Sequence, residues 1–79
     1  MEEREFKSLL GEQLRLYRKR KGMTIEEAAW AAKVDAKHLG KVENGQRSMR
    51  AETLFKMVYT LDIPADFFEV LKCYYHSKH

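Results

Sequence analysis

The apolar positions of residues 24–32 follow the period of an α-helix. Four of them recur at the spacing i, i+3, i+4, i+7 on one face: Ile25, Ala28, Ala29 and Ala32. Thr24 and Glu27 have the spacing of a capping box, in which each side chain accepts from the other residue's backbone N–H. The pattern predicts a short helix that begins after Thr24, with a face of small side chains that lets a neighbouring helix approach closely.

A second short helix is predicted directly after the first. Asp35 is a good N-cap residue, and Leu39 with Val42 gives the helix a narrow apolar edge. Asn44-Gly45 tolerates left-handed backbone and ends the helix. The other face carries Lys37, His38 and Lys41. Two capped helices joined by a tight turn over residues 24–43 indicate a helix-turn-helix motif, whose second helix is placed to enter a DNA groove.

Three further helices are predicted around this motif. The first spans about residues 5–21, where apolar side chains share one face. The fourth spans about residues 51–61, and Pro64 prevents its continuation because proline cannot extend a helix. The fifth spans residues 65–76. The expected fold is all-α, with five helices in a single domain of residues 1–79.

Composition narrows the function classes only slightly. The 79 residues carry 15 Lys and Arg against 12 Asp and Glu, a net charge of +3 and a mild bias toward polyanions. The single cysteine excludes an internal disulfide and favours a reducing compartment. Because the chain has no apolar run that could cross a bilayer and no signal-peptide pattern, we expect no membrane association and a cytoplasmic location.

Catalytic and metal-binding signals are weak. The sequence has no glycine-rich phosphate loop, no paired acid–base carboxylates and no nucleophile–base set, so we expect neither an enzyme nor a bound cofactor. Cys73, His76 and His79 are residue types that bind metals, and the first two lie one turn apart. A fourth ligand is missing, so no metal site is predicted.

A series of short motifs, in order along the chain, resembles the lambda-repressor-like, or XRE-type, helix-turn-helix family. The likeness covers about residues 10–68. Its motifs are Leu10-Gly11-x-x-Leu14-x-x-x-Arg18, Gly22-x-Thr24-x-x-Glu27-x-Ala29, Val34-Asp35, Leu39, Val42-Glu43-x-Gly45 and Glu52-Thr53-Leu54. Each motif is weak alone, but their order and separation together are fairly specific. The resemblance implies a five-helix, lambda-repressor-like DNA-binding domain.

The resemblance also implies roles for individual residues. Arg18 and Glu43 match a pair that ties helix one to the end of helix three, a pair of the kind that fixes geometry more than it adds stability. Positions that face base edges or nearby phosphates in the major groove are Ala36, Lys37, His38 and Lys41. Positions that hold the DNA backbone are Thr24, at the start of helix two, and Gln46, Arg47 and Ser48.

Physical chemistry supports several of these roles and leaves others open. Lys37 and Lys41 are four residues apart, so both point the same way and can donate to guanine or to phosphate. His38 is compatible with base contact or with a solvated surface position. Arg47 and Arg50 fit a backbone clamp, and they equally fit a solubilising role.

Four residues depart from the family pattern. Ile25 stands where glutamine commonly helps to hold a phosphate, and Met49 stands where proline often precedes helix four. Lys33 replaces the usual glycine of the turn, at a cost of about 1 kcal/mol if its backbone is left-handed. Gly40 replaces a common serine and costs the helix about 1 kcal/mol relative to alanine. These departures bear on DNA affinity more than on the fold.

Helix five is the expected dimer interface. It carries more large apolar residues than one narrow buried face requires. Phe68, Leu71 and Tyr75 lie at i, i+3, i+7, and we expect them to form an exposed ridge for a symmetric contact. The alternative is that these side chains cover the small core of the protein itself.

Trp30 has two interpretations. It lies roughly opposite Ala28 and Ala32 on helix two, so it is expected to be at least partly exposed. Exposed tryptophans often anchor protein partners. The alternative places the indole over neighbouring Lys or Arg stems.

These observations predict a sequence-specific DNA-binding transcriptional regulator of the repressor type, with double-stranded DNA as its partner. A module this small is expected to act as a homodimer on a two-fold operator and to read the major groove with helix three. The alternative is a helical protein-interaction adaptor on the same scaffold, anti-repressor or antitoxin-like, with Ile25 and Trp30 marking a hydrophobic surface.

Overall fold

The computed structural model describes residues 3–78, which form five α-helices. The helices are α1 (Glu3–Arg20), α2 (Ile25–Ala32), α3 (Ala36–Glu43), α4 (Ala51–Thr60) and α5 (Asp66–Lys78). The all-α, five-helix prediction is confirmed, and the helix ends lie close to the positions expected from the sequence. Helix α5 begins one residue later and extends further than expected. No helix within residues 3–78 has the length and apolarity required to span a membrane.

Side chains fix the beginnings of both helices of the motif. The Thr24 hydroxyl accepts from the backbone N–H of Glu27 at 3.0 Å, and the Glu27 carboxylate accepts from the N–H of Thr24 at 2.8 Å. The Asp35 carboxylate accepts from the N–H of His38 at 3.0 Å. Each bond satisfies a donor that would otherwise lack a partner in the first turn of a helix. Both predicted caps are confirmed.

The turn between α2 and α3 depends on Lys33. Its backbone is left-handed, with φ 58° and ψ 46°, and its N–H points at the carbonyls of Ala29 and Trp30. The N–H of Val34 then donates to the carbonyl of Ala29 at 2.9 Å. These bonds satisfy the last carbonyls of α2 and turn the chain sharply. A side chain in this conformation costs about 1 kcal/mol relative to glycine, as expected from the sequence.

The core draws apolar side chains from all five helices and from the segment before α5. Ala28, Ala29 and Ala32 are buried, and their small size lets α2 pack closely against α3 and α4. The other buried apolar residues are Leu10, Leu14, Leu39, Val42, Met57, Leu61, Ile63, Phe67 and Leu71. The core therefore holds α3 against the rest of the molecule from one side only.

Gly11 allows α1 to cross the end of α3 at close range. A Cβ atom at this position would lie 2.3 Å from the carbonyl oxygen of Val42 and 2.7 Å from that of Glu43. Both distances are shorter than non-bonded atoms tolerate, so glycine is required for the crossing. Because both of the approached oxygens belong to the last turn of α3, the crossing fixes where α3 ends.

The packing of α5 corrects one expectation. Phe67 is fully buried, with an edge-on contact to Tyr17 at 6.2 Å between ring centres. Leu71, four residues later on the same face, is only 9% exposed. The prediction that Leu71 is exposed in a ridge with Phe68 and Tyr75 is therefore wrong, because α5 uses Leu71 to cover its own core. Phe68 and Tyr75 are exposed.

A polar contact also joins α5 to α1. The Tyr74 hydroxyl donates to the Glu5 carboxylate at 2.7 Å, and this hydrogen bond raises the pKa of Tyr74. The bond joins a residue near the start of the chain to a residue near its end. It holds the C-terminal helix beside the first one.

Candidate nucleic-acid interface

Helix α3 has one buried face and one solvent-facing face. Leu39 and Val42 are fully buried, whereas Lys37 is exposed and Lys41 is half-buried. At 100° per residue, Lys37 and Lys41 project from the side of the helix opposite Leu39 and Val42. Within residues 3–78, neither lysine takes part in an ion pair. Two ammonium groups are therefore presented outward from one short helix.

The other predicted base-edge residues lie at the flanks of this face. Ala36 is half-buried and packs against the core, so only part of its methyl group faces solvent. His38 is half-buried, with its backbone held by the Asp35 cap. Gly40 has open space where a Cβ would lie. The solvent-facing side of α3 therefore carries a lysine toward each end, Lys37 and Lys41, and has no side chain at Gly40.

An ion pair holds the end of α3 against α1. The Arg18 Nε donates to Glu43 Oε2 at 2.7 Å, and its Nη2 donates to Glu43 Oε1 at 2.9 Å. Both residues are buried. The two-point geometry restrains the pair in orientation as well as in distance. The hydrogen bond to Glu43 raises the pKa of Arg18, which therefore stays charged.

The same guanidinium reaches a third element. Arg18 Nη1 donates to the carbonyl of Met23 at 2.7 Å, in the segment that enters α2. Arg15 adds a bond from its Nη2 to Asn44 Oδ1 at 2.8 Å, just after α3, and a longer contact of 3.5 Å to Glu43. Polar bonds from α1 thus reach the segment before α2 and the end of α3.

Beside α3 lies an open cleft of about 590 Å³, here called the basic cleft. It lies between the first turn of α3, the α3–α4 loop and α1. Its lining residues are Lys7, His38, Arg47, Ser48, Arg50 and Thr53. Four of the residues named from the sequence therefore meet in one place. One lysine, two arginines and two hydroxyl groups around one concavity suit the oxygens of a phosphate backbone.

Lys7 and Thr53 were not among the residues singled out from the sequence. Lys7 is four residues before Gly11 in α1, so both point toward the same side of the helix. The close approach at Gly11 brings that side of α1 to α3. The four-residue spacing of Lys7 and Gly11 shows that they share one side of α1. The sequence does not show that this side faces α3, so Lys7 could be assigned to the basic cleft only from the structure.

A family model described as a helix-turn-helix domain matches residues 9–66 of the chain. The chain belongs to the lambda-repressor-like helix-turn-helix family. The matched region includes the whole of α2, α3 and α4, together with the residues of α1 that pack against them. The family assigned by resemblance from the sequence is confirmed.

Solved structures of regulators are similar to this helix-turn-helix domain over most of its length. The restriction-modification controller protein C.AhdI from Aeromonas hydrophila is 31% identical, with a TM-score of 0.72, over 77% of this chain and 92% of that one. The clp gene regulator ClgR from Corynebacterium glutamicum is 27% identical, with a TM-score of 0.78, over 92% and 79%. The controller protein C.Esp1396I is 25% identical, with a TM-score of 0.77, over 94% and 96%. No curated protein sequence matches at a significant level.

Two of the predicted backbone-contact residues lie outside the basic cleft of the helix-turn-helix domain. Thr24 is exposed at the start of α2, where its hydroxyl oxygen accepts the capping bond and its O–H is still able to donate. Gln46 is exposed beyond α3, and its backbone N–H donates to the carbonyl of Lys41 at 2.9 Å. The predicted backbone contacts thus fall at three places: the start of α2, Gln46 just beyond α3, and the basic cleft.

Trp30 and Ile25 of the helix-turn-helix domain have different environments. The Trp30 side chain is 84% exposed, so the interpretation in which a Lys or Arg stem covers its indole is wrong. Ile25 is half-buried and packs against the core. Ile25 therefore does not extend a hydrophobic surface around Trp30.

The cysteine and histidines considered as metal ligands lie at the end of the helix-turn-helix domain. Cys73 and His76 are exposed on α5, and His79 lies outside the described residues. Within residues 3–78, no three His, Cys, Asp or Glu side chains are grouped so as to hold a metal ion.

Proposed function

We propose that this protein is a sequence-specific DNA-binding transcriptional regulator that acts in the cytoplasm as a homodimer on a two-fold operator, as a repressor in its simplest form. The observation that carries the proposal is the outward face of α3. Lys37 and Lys41 project from it, away from the core and next to the basic cleft. A rigidly held basic helix beside a phosphate-sized concavity suits a DNA groove and its flanking backbone.

The proposal divides the contacts into two groups. Lys37 and Lys41 donate to base edges in the major groove, with His38 at the junction of groove and backbone. Arg47, Ser48 and Arg50 hold phosphates from the cleft, and Thr24 and Gln46 hold them at separate points. Phosphate contacts supply most of the affinity and its dependence on salt, whereas base contacts supply sequence preference.

Geometry supports the dimer. Helix α3 has eight residues and is about 12 Å long, so one copy reaches only a few base pairs. Two copies related by a two-fold axis place their helices in successive major grooves, roughly 34 Å apart. Similar regulators, among them a restriction-modification controller protein and a regulator of clp genes, support a role in transcription.

The adaptor hypothesis loses one of its two supporting residues. It required Ile25 and Trp30 to mark one hydrophobic surface, but Ile25 packs against the core. Trp30 remains exposed, and a surface around it is compatible with DNA binding by α3. The regulator is therefore the better supported function, and no catalytic activity is part of the proposal.

The decisive experiment is selection of a preferred site from random-sequence duplex DNA, followed by binding measurements at several salt concentrations. We expect a defined two-fold site and a steep fall of affinity with salt. Lys37→Ala and Lys41→Ala should each change the preferred sequence, whereas Arg47→Ala should weaken binding to all sequences alike.

Lys72→Ala provides the matched control, because Lys72 is an exposed lysine on α5, away from α3 and the basic cleft. It should leave both affinity and preference unchanged. Selection that yields no preferred site would refute sequence-specific binding. Equal losses on every sequence from all three interface variants would refute base reading by α3.

A further inference from the structure

The outward face of α3 continues past the end of the helix to Asn44. Lys37, Lys41 and Asn44 lie at i, i+4 and i+7, and seven residues turn an α-helix by nearly two full turns. The backbone N–H of Asn44 still donates to the carbonyl of Gly40 at 3.1 Å, as in an α-helix, and Asn44 is exposed. Its side chain therefore leaves the chain on the same side as the two lysines.

A hydrogen bond from α1 fixes the orientation of the Asn44 amide. Arg15 Nη2 donates to Asn44 Oδ1 at 2.8 Å. Because a guanidinium only donates, the atom that faces it must be the amide oxygen and not the amide nitrogen. The Nδ2 group is thereby turned away from Arg15, and no hydrogen bond among residues 3–78 uses it as a donor. The amide thus offers two N–H donors to a ligand.

Arg15 is itself restrained by a second contact. Its Nε lies 3.5 Å from Glu43 Oε1, and the Glu43 carboxylate is fixed by its two-point pair with Arg18. The Asn44 amide is therefore connected to the buried ion pair through the Arg15 side chain. An amide that is oriented in advance loses less freedom on binding than one that rotates freely, so the arrangement favours a specific contact.

The charges around Asn44 differ from those of the basic cleft. A cavity of about 230 Å³ lies at this end of α3, and its lining residues are Ser8, Glu12, Arg15, Glu43 and Asn44. This lining contains two carboxylates and one cation, whereas the basic cleft contains one lysine, two arginines and no carboxylate. Carboxylates repel the oxygens of a phosphate, so the uncharged edge of a base suits this end of α3 better than the DNA backbone does.

We propose that Asn44 reads one base pair of the operator by donating from Nδ2 to a guanine in the major groove, and that Arg15 is the residue that positions it. Guanine presents two acceptors there, O6 and N7, and no donor. The role rests on the proposed function and deepens it, because it adds a specificity-determining contact to those of Lys37 and Lys41. It also gives α1 a part in sequence recognition, through the bond from Arg15.

The bond to Arg15 makes Asn44 select between the two purines. An asparagine binds adenine by accepting from the N6 amino group and donating to N7. In this protein Asn44 Oδ1 already accepts from a positively charged group at 2.8 Å, and the amino group of adenine would place a second donor beside it. Guanine has the acceptor O6 in the place of that amino group, so it brings no donor that competes with Arg15.

The first test repeats the selection from random-sequence duplex DNA with variants of Asn44. Wild type should require guanine at one position that Asn44→Ala no longer distinguishes, with discrimination reduced about 5- to 10-fold, the effect of one hydrogen bond. Asn44→Asp keeps the side-chain size and the acceptor for Arg15 but removes the donor. It should move the preference at that position from guanine to cytosine, whose N4 amino group donates. The readout is relative preference, because the added negative charge lowers affinity for every sequence.

The second test removes the positioning residue. Arg15→Ala frees the amide to rotate, so the same position should accept adenine as well as guanine. The Arg15 side chain is 44% exposed, and circular dichroism should therefore show folded protein. Lys19→Ala is the matched control, because it removes one positive charge from an exposed site on the same helix and should leave the base preference unchanged. If Arg15→Ala weakens binding to all sequences alike and still prefers guanine over adenine, its positioning role is refuted.

The outcomes for Asn44 are distinct from those for the regulator as a whole. If wild type selects a defined site and Asn44→Ala selects the same site at every position, the regulator stands and base reading by Asn44 is refuted. An equal loss of affinity on all sequences with Asn44→Ala would make it a phosphate contact, which also refutes base reading. Selection of no preferred site by wild type would instead refute the proposed function, and the role of Asn44 with it.

Discussion

Arg18 and Glu43 form a buried two-point ion pair, 2.7 and 2.9 Å long, that joins the end of α1 to the end of α3. Replacing one partner leaves the other buried without its counter-charge, which costs more than the pair contributes when it is intact. The pair is therefore best understood as a restraint on the position of α3.

Removing Glu43 should strongly destabilise the protein. We expect Glu43→Ala to lower the free energy of unfolding by about 3–5 kcal/mol, measured by urea denaturation. Glu52→Ala is the control, because the Glu52–Lys56 pair is exposed and long, at 3.7 Å, and its loss should cost less than about 1 kcal/mol. Similar losses from the two variants would contradict a special role for the Arg18 pair.

Two glycines should respond in opposite ways to the same substitution. Gly11→Ala places a methyl group against the carbonyls of Val42 and Glu43, so it should destabilise the fold by about 1–3 kcal/mol or displace α3. Gly40→Ala meets nothing within 4 Å and should stabilise α3 by about 1 kcal/mol. Thermal unfolding of both variants provides the measurement. A stable Gly11→Ala protein with unchanged DNA affinity would show that the crossing is not tight.

The strain at Lys33 should be measurable. Lys33→Gly should be more stable than Lys33→Ala by about 1 kcal/mol, because only glycine adopts φ 58° without a Cβ penalty. Both variants remove the same charge, so their difference in urea midpoint isolates the backbone effect. Equal midpoints would indicate that the turn relaxes when the lysine is removed.

Lys7 should act as a phosphate contact if the basic cleft holds the DNA backbone. Lys7→Ala should reduce the salt dependence of DNA binding by about one released counterion and leave the preferred sequence unchanged. The control variant Lys72→Ala should change neither the salt dependence of DNA binding nor the preferred sequence. A changed sequence preference in Lys7→Ala would place the lysine at a base edge instead of at the backbone.

The sequence predicted the elements that depend on near neighbours. Thr24 with Glu27 and Asp35 with His38 are bonds between residues three apart, so spacing alone identified the helix starts. The family pattern marked Lys33 as the residue that would carry strain if the turn were left-handed, and its φ is 58°. The two helix caps need no knowledge of the tertiary fold, and both are confirmed.

The remaining features required the fold. Helix five has apolar residues on nearly all sides, so periodicity could not show that Phe67 and Leu71 face inward while Phe68 faces outward. Lys7 joins the basic cleft only because α1 crosses α3 at Gly11. That Ala31 and Phe55 line one shallow groove between α2 and α4 likewise depends on how these helices pack.

The supports of α3 all act on its inner half, through Leu39, Val42 and Glu43, while the opposite half contributes nothing to the packing of the core. Positions 37, 40 and 41 are therefore open to exchange without endangering the fold. On the proposed function, such a scaffold can acquire new target sequences through a few surface changes, and transplanting these side chains from another regulator of the family should redirect this one.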